Sequence, residues 1–175
     1  MEENQKFMKK ALALAKKAYD SDEVPVGAVI VKDGKIIASA FNKRETSKNA
    51  VAHAEILAIE KACKVLNDFR LLDCEMFVTL EPCLMCAGAI LNARLKTVYY
   101  GAKNNKENAI SFEEVNQRAE LNHKTNVIGG VLEEECSNLV SSYFREKRKH
   151  KNIRYLLKLY NIFRRNKAIV IKFQN

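Results

Sequence analysis

The sequence has few of the residues that mark fibrous, low-complexity or disulfide-bonded proteins. Only two prolines and six glycines occur in 175 residues, which excludes collagen-like and low-complexity classes. The five cysteines are odd in number, and no apolar signal-peptide segment follows the polar N-terminus. We therefore expect a cytoplasmic protein without a disulfide framework. No stretch approaches the roughly 18 consecutive apolar residues of a membrane-spanning helix. The length predicts one folded domain with a buried core.

Acidic residues are scarce towards the C-terminus. Residues 141–175 contain eleven Lys and Arg residues and a single acid, Glu146, so this segment carries a net charge of +10, whereas residues 1–140 carry −1. Such an asymmetry indicates a polyanionic partner, which is a nucleic acid or a membrane surface. A solvated helix is the alternative, because lysine is abundant throughout the chain.

Alternating helix and strand patterns predict an α/β domain. The spacing of apolar residues favours helices at 4–20, 52–66 and 83–92 and a late helix with apolar positions from Leu132 to Phe144. Strands are predicted at 25–32, 35–41, 75–80, 97–100 and 127–128, and residues 102–125 show little pattern. Asp33-Gly34 predicts a hairpin between the first two strands, so we expect the sheet to be mixed.

The end of the chain is predicted to be an addition to this domain. Apolar residues from Ile153 to Phe163 favour another amphipathic helix, and 168–173 resembles a strand. We therefore divide the chain into a domain at 1–149 and a basic C-terminal extension at 150–175. The extension either packs on the domain or adds to an edge of its sheet.

One histidine and two cysteines form a ligand set for zinc. His53 starts one predicted helix, and Cys83 and Cys86 start another. Imidazole nitrogen and thiolate sulfur are preferred zinc donors, and three protein ligands leave one coordination position open for water, as in catalytic sites. Cys83 and Cys86 share a helix face, at the helix end that favours thiolates. Glu55, two residues after His53, is predicted to accept a proton from zinc-activated water.

Two other interpretations of the cysteine pair remain. A redox dithiol leaves His53 and Glu55 unexplained. A structural zinc site needs a fourth ligand from the remaining residues of these types, which are Cys63, Cys74, Cys136, His123 and His150. The three cysteines lie in apolar helical or strand positions and are predicted to be core residues. His123 lies in a polar loop, and we expect it to be exposed.

Three stretches resemble the cytidine-deaminase-like superfamily of zinc deaminases. They are Val24-Pro25-Val26-Gly27-Ala28-Val29, Ala52-His53-Ala54-Glu55-Ile56 and the run from Val78 to Ile90, which contains Glu81-Pro82-Cys83-Leu84-Met85-Cys86. The similarity extends from about Lys6 to Arg148 and is greatest to the bacterial members that act on adenosine in tRNA. Asn42, Asn122-His123 and Tyr143-Phe144-Arg145 also match those members. The resemblance implies a three-layer α/β/α fold with a mixed central sheet of about five strands.

The resemblance also implies the roles of individual residues in a zinc-dependent deaminase domain at 1–149. His53, Cys83 and Cys86 match the ligands of one Zn2+ per subunit, Glu55 matches the proton shuttle, and Asn42 matches the side chain that hydrogen-bonds the target base. The implied reaction is hydrolytic deamination of adenosine to inosine at the wobble position of tRNA, by a homodimer with no membrane partner. RNA contacts are expected from Phe144, Arg145, Lys147, Arg148 and Lys149.

Two further functions stay open. A deaminase of free guanine, cytosine or a pyrimidine nucleotide would use the same zinc chemistry, although it has no need of a basic tail. A catalytically silent zinc module that binds RNA would not require Glu55 beside an open zinc position. The loop at 102–111 departs from the family's pattern, and the extension after Lys149 is longer than the usual family end.

Overall fold

The computed structural model describes residues 2–104, 110–118, 121–150 and 152. In chain order the elements are α1 (Glu2–Asp20), β1 (Gly27–Lys32), β2 (Lys35–Phe41), α2 (Ala54–Leu66), β3 (Glu75–Leu80), α3 (Leu84–Asn92), β4 (Thr97–Ala102), α4 (Phe112–Asn116) and β5 (Asn126–Ile128). Positions 133–150 are also helical. Among the described residues, no helix is both long and apolar enough to cross a membrane.

The chain divides into two compact units, Met1–Val140 and Ser141–Asn175. The helix and strand that we predict for the extension lie outside the described residues, as do positions 105–109 of the 102–111 loop. The boundary after residue 149 therefore stays a prediction.

The strands form one mixed sheet in the order β2-β1-β3-β4-β5. β1 is antiparallel to both of its neighbours, whereas β3, β4 and β5 run parallel. Asp33 and Gly34 join β1 to β2 with positive φ angles of 49° and 71°, which is the backbone that a two-residue type I′ hairpin requires. The mixed sheet predicted from this hairpin is confirmed.

Helices cover both faces of the sheet, because successive strand residues point to opposite sides. In β1, Ile30 packs in the apolar cluster that contains α2 and α3, and Val31 packs in the cluster that contains α1. Phe77 of β3 lies on the α1 side, where its ring centroid is 5.2 Å from that of Phe7 and 4.5 Å from that of Tyr99. The three-layer α/β/α architecture is thus confirmed.

One edge of the sheet collects the ends of several strands. The carboxyl ends of β2 and β3 flank the start of β1, since Gly27 pairs with Phe41 and Ala28 pairs with Val78. The Gly27 N–H also donates to Thr79 Oγ1 at 3.2 Å. The loops that lead into α2 and α3 leave from this edge, which is where α/β sheets usually bind ligands.

Candidate active site

The first residues of α2 and α3 carry the predicted metal ligands. His53 is the N-cap of α2, and Cys83 is the N-cap of α3, both with extended backbone. Neither side chain accepts a capping hydrogen bond from its own helix, so both remain available to a ligand. Cys86 follows in the first turn of α3 and is buried. The helix predicted to start at Cys83 starts one residue later.

Folding brings three donor atoms from these helix starts together. His53 Nδ1 lies 3.7 Å from Cys83 Sγ and 3.5 Å from Cys86 Sγ, and the three donor atoms all lie within 4.8 Å of one another. No other cluster of this kind occurs in the described part of the chain. An imidazole nitrogen with two sulfurs is a donor set that suits zinc. The residues therefore fit the predicted metal.

Hydrogen bonds within this cluster favour a thiolate at Cys83. Hydrogen bonds from the Cys86 thiol and the His53 ring lower the pKa of Cys83 to about 3, although burial acts in the opposite direction. The same interactions raise the pKa of the Cys86 thiol and the pKa of the His53 ring. Because the thiolate is the form that binds metal, the cluster already favours negative charge where a cation would bind.

Glu55 lies beside the donor cluster in the first turn of α2. Its carboxyl group is buried, with 4% of the residue exposed, and burial raises its pKa. The His53 ring and the Cys83 sulfur, which are two of the clustered donors, both interact electrostatically with this carboxyl group. Glu55 is not one of the three clustered donors. An acidic group next to a metal-type cluster and not part of it is suited to proton transfer.

Asn42 lies at the same edge of the sheet as the donor cluster. It follows β2 directly and is 5% exposed. The next residue, Lys43, donates its N–H to the Ala52 carbonyl at 3.0 Å, which ties the start of the loop to the residue before His53. The Asn42 side chain donates through Nδ2 to Glu23 Oε2 at 3.0 Å.

Two buried carboxylates hold the loops at this edge of the sheet, and the sequence did not predict a role for either side chain. Glu23 accepts hydrogen bonds from Asn42 and from the loop that follows it. Glu81 is 7% exposed and accepts the backbone N–H groups of Asn104 at 3.1 Å and Phe112 at 3.0 Å. These partners lie 19 to 31 positions away, so no local pattern marks them. Because acidic residues are rarely fully buried, their residue type also gives no reason to expect a buried position.

The remaining cysteines and His123 lie apart from the donor cluster. Cys74 and Cys136 are buried and Cys63 is half-buried, as predicted for core residues. The expectation that His123 is exposed is wrong. It is half-buried with Nε2 2.9 Å from the Leu95 carbonyl oxygen, because its loop packs along the connection between α3 and β4.

The predicted RNA contacts belong to the second compact unit, Ser141–Asn175. Phe144 is 41% exposed, and its ring packs edge-on to that of Tyr143 with 5.4 Å between centroids. Lys147 is half-buried, with Nζ 5.5 Å from the centroid of the Tyr143 ring. The other three predicted contacts are exposed; they are Arg145, Arg148 and Lys149. This helical segment is basic and accessible, and its contact with RNA stays a prediction.

Known proteins are similar to this chain in both sequence and fold. The model of the MafB19-like deaminase family matches residues 2–141, which are most of the chain, so the protein belongs to a family of deaminases. A tRNA-specific adenosine deaminase of Bacillus subtilis (strain 168) is 46% identical over 152 residues, which are 86% of this chain and 94% of that protein. The chain belongs to the family of tRNA-specific adenosine deaminases.

Two solved structures are also similar. One, from a study of A-to-I editing by tRNA:A34 deaminases at the wobble position of transfer RNA, is 39% identical with a TM-score of 0.72 and covers 76% of this chain and 97% of its own. The other, a guanine deaminase from Bacillus subtilis, is 38% identical with a TM-score of 0.56 and covers 82% of this chain and 92% of its own.

Proposed function

We propose that this protein hydrolytically deaminates adenosine to inosine at the wobble position of tRNA. The observation that carries the proposal is the cluster of His53 Nδ1 with the Cys83 and Cys86 sulfurs, within 4.8 Å of one another, with the buried carboxyl group of Glu55 beside it. The activity in the names of the tRNA-specific relative and of the tRNA:A34 deaminase structure supports the choice of substrate.

We propose that His53, Cys83 and Cys86 hold one zinc ion per chain. Three nitrogen and sulfur ligands leave one of the four tetrahedral positions open, which is typical of catalytic zinc. Zinc in such a site supplies an activated water for hydrolysis at C6 of adenine.

Glu55 is assigned the transfer of protons in this reaction. Deamination at C6 replaces the exocyclic amino group with the oxygen of water and releases ammonia, so a proton must pass from the water to the leaving nitrogen. Burial raises the pKa of Glu55, so this carboxyl group takes up a proton more readily than an exposed one. We assign to Asn42 the role of hydrogen-bonding the target base, because a side-chain amide offers both donors and an acceptor to a base edge.

The choice of an anticodon loop follows from access to the adenine. C6 can approach buried residues such as Glu55 only when the base leaves its stack, and an unpaired loop nucleotide does so at low cost. The net charge of +10 on residues 141–175 favours a polyanionic substrate. We also propose the homodimer and the cytoplasmic location that the sequence resemblance implies.

Deamination of free guanine is the second candidate. It is supported by the guanine deaminase structure, which is 38% identical to this chain. The basic segment at 141–175 argues against it, because an enzyme for a neutral base has no use for such a charge.

The test is incubation of the zinc-loaded protein with an anticodon stem-loop that carries adenosine at the wobble position, followed by nucleoside analysis. We expect inosine at that position with the wild-type protein. The Glu55→Ala variant should retain zinc and lose turnover by at least about a hundredfold. Undiminished turnover in that variant would contradict the role of Glu55. Release of ammonia from free guanine or cytosine, with the stem-loop unchanged, would replace the proposal with deamination of a free base.

A further inference from the structure

Glu23 is a fully buried carboxylate that the proposed reaction does not use. It is 0% exposed. Its Oε2 accepts from Asn42 Nδ2 at 3.0 Å and from the Glu45 N–H at 3.1 Å. Its Oε1 accepts from the Thr46 N–H at 2.6 Å and from Thr46 Oγ1 at 2.8 Å. A carboxylate has about four acceptor positions, so Glu23 acts only as an acceptor and its capacity is filled.

The end of α1 fixes the backbone that carries this carboxylate. Asp22 has a left-handed φ of 62°, and its N–H donates to the Tyr19 carbonyl at 3.0 Å. The Glu23 N–H donates to the Ala18 carbonyl at 2.9 Å. These two bonds form a Schellman motif, which terminates a helix in one defined geometry. Glu23 is therefore held by a helix end, and it in turn holds the loop that starts at Asn42.

The contact between Glu23 and Asn42 fixes the orientation of the Asn42 amide. A half-turn of a side-chain amide exchanges its NH2 group with its oxygen. Only the NH2 group can face Glu23, because the exchanged oxygen would lie about 3 Å from a carboxylate oxygen without a proton between them. The second N–H and the oxygen of Asn42 are then left for another partner in defined positions. Asparagine commonly offers this donor and acceptor pair to adenine.

We infer that Glu23 is a positioning residue for deamination, which acts by orienting the Asn42 amide towards the base. The inference rests on the proposed function, in which Asn42 binds the base. All four hydrogen bonds of the Glu23 carboxylate are to the protein itself, so its effect on the reaction passes through the residue that it orients.

The variant Glu23→Gln tests this inference with little change of shape. Glutamine places an NH2 group where one carboxylate oxygen was, so Asn42 loses its acceptor or turns its amide over. We expect the rate of the chemical step on a wobble-adenosine stem-loop at saturating enzyme to fall roughly ten- to a hundredfold. The KM for RNA should change by less than about threefold, because phosphate contacts dominate RNA affinity.

Thr46→Val is the matched control. It removes the Oγ1 hydrogen bond to the same carboxylate and leaves the bond to Asn42 in place. We expect its rate to stay within about twofold of wild type. An equal loss of rate in Thr46→Val and Glu23→Gln would overturn the inference, since the carboxylate would then act only by holding the loop.

A double variant separates positioning from general destabilisation. If Glu23 acts through Asn42, the combination of Glu23→Gln with Asn42→Ala should be as slow as Asn42→Ala alone. A further loss as large as that of Glu23→Gln in the wild-type background would contradict the inference.

The Asn42 side chain also provides a readout that does not depend on activity. We expect its NH2 signal, identified in a proton–nitrogen NMR spectrum by its loss in Asn42→Ala, to have one proton shifted downfield. The shift should persist in Thr46→Val and vanish in Glu23→Gln. An unshifted signal in the wild-type spectrum contradicts the inference even if Glu23→Gln fails to fold. A shifted signal in a protein that leaves the stem-loop unchanged supports the orientation of Asn42 and refutes the proposed function instead.

Discussion

Replacing Gly27 with alanine tests whether the sheet edge at the site depends on close contact between β1 and α1. A Cβ at this position would lie 2.1 Å from the Ala11 carbonyl oxygen, 2.6 Å from the Ala15 nitrogen and 2.8 Å from Leu14 Cβ. Two of these atoms are backbone, so they move only if the helix moves. An ordinary contact of roughly 3.5 Å with the Ala11 oxygen requires α1 to shift by about 1.4 Å.

The expected loss of stability follows from this clash. An extra carbon in a packed core costs about 1–3 kcal/mol, and we expect the upper end because the obstacle is a helix backbone. For a chain of this length, 1 kcal/mol corresponds to about 2–4 °C, so Tm should fall by roughly 9 °C. Gly27 also donates its N–H to Thr79 in β3, the strand that leads to Cys83, so zinc affinity should fall as well.

Gly88→Ala is the matched control, measured by thermal unfolding in circular dichroism at the same protein and zinc concentrations. Apart from the chain neighbours and backbone of α3 itself, no atom of the described residues lies within 4 Å of a Cβ at Gly88. Alanine stabilises a helix interior by about 1 kcal/mol relative to glycine, so its Tm should rise by about 2–4 °C. A Gly27→Ala variant that melts within about 2 °C of wild type would refute the reasoning, as would an equal fall in both variants.

Three further predictions concern RNA binding, assembly and the second buried carboxylate. Replacing Arg145, Arg148 and Lys149 together with alanine should weaken tRNA binding and reduce the slope of log affinity against log salt by about two. The same change at the exposed Lys9, Lys10 and Lys16 of α1 removes equal charge and should leave the slope unchanged, so equal slopes for the two variants would contradict phosphate contacts by the helix. If truncation after Lys149 leaves the affinity for tRNA unchanged, the extension takes no part in RNA binding. Light scattering should give twice the chain mass of 19.9 kDa, and a single chain mass would contradict the homodimer. Glu81→Ala should lower the free energy of unfolding in urea by about 2 kcal/mol, because it leaves the N–H groups of Asn104 and Phe112 without their acceptor. Unchanged stability would show that the Glu81 carboxylate does not hold this loop in place.

Periodicity predicted most elements because their apolar residues repeat over several turns or alternations. β2 (Lys35–Phe41) and β3 (Glu75–Leu80) have the predicted bounds. The strand predicted at 97–100 with a break at Gly101 continues instead to Ala102. Gly101 allows close approach rather than a turn, since a Cβ there would lie 2.3 Å from Cys136 Sγ. No local sequence pattern predicts such a contact between residues that are distant in the chain.

The short helix α4 was missed for a different reason. It has five residues, too few for an apolar period to appear. Its local signal is a capping box, in which Ser111 accepts the Glu114 N–H and the Glu114 carboxylate accepts the Ser111 N–H at 2.7 Å. The Ser-x-x-Glu pattern that produces it is visible in the sequence.

The site divides between residues with local motifs and residues without them. His53 and Cys83 could be predicted because each begins a helix within its own motif. Glu23 could not, because its hydrogen-bond partners lie across the loop that follows β2, and only the packed fold brings them together.

The metal content of the purified protein tests the central claim most directly. We predict one zinc ion per chain by elemental analysis in the wild-type protein and in Glu55→Ala, and its loss in Cys86→Ser, because that variant removes one of three clustered donors. Active wild-type protein without a bound divalent metal, or full zinc content in Cys86→Ser, would contradict the account.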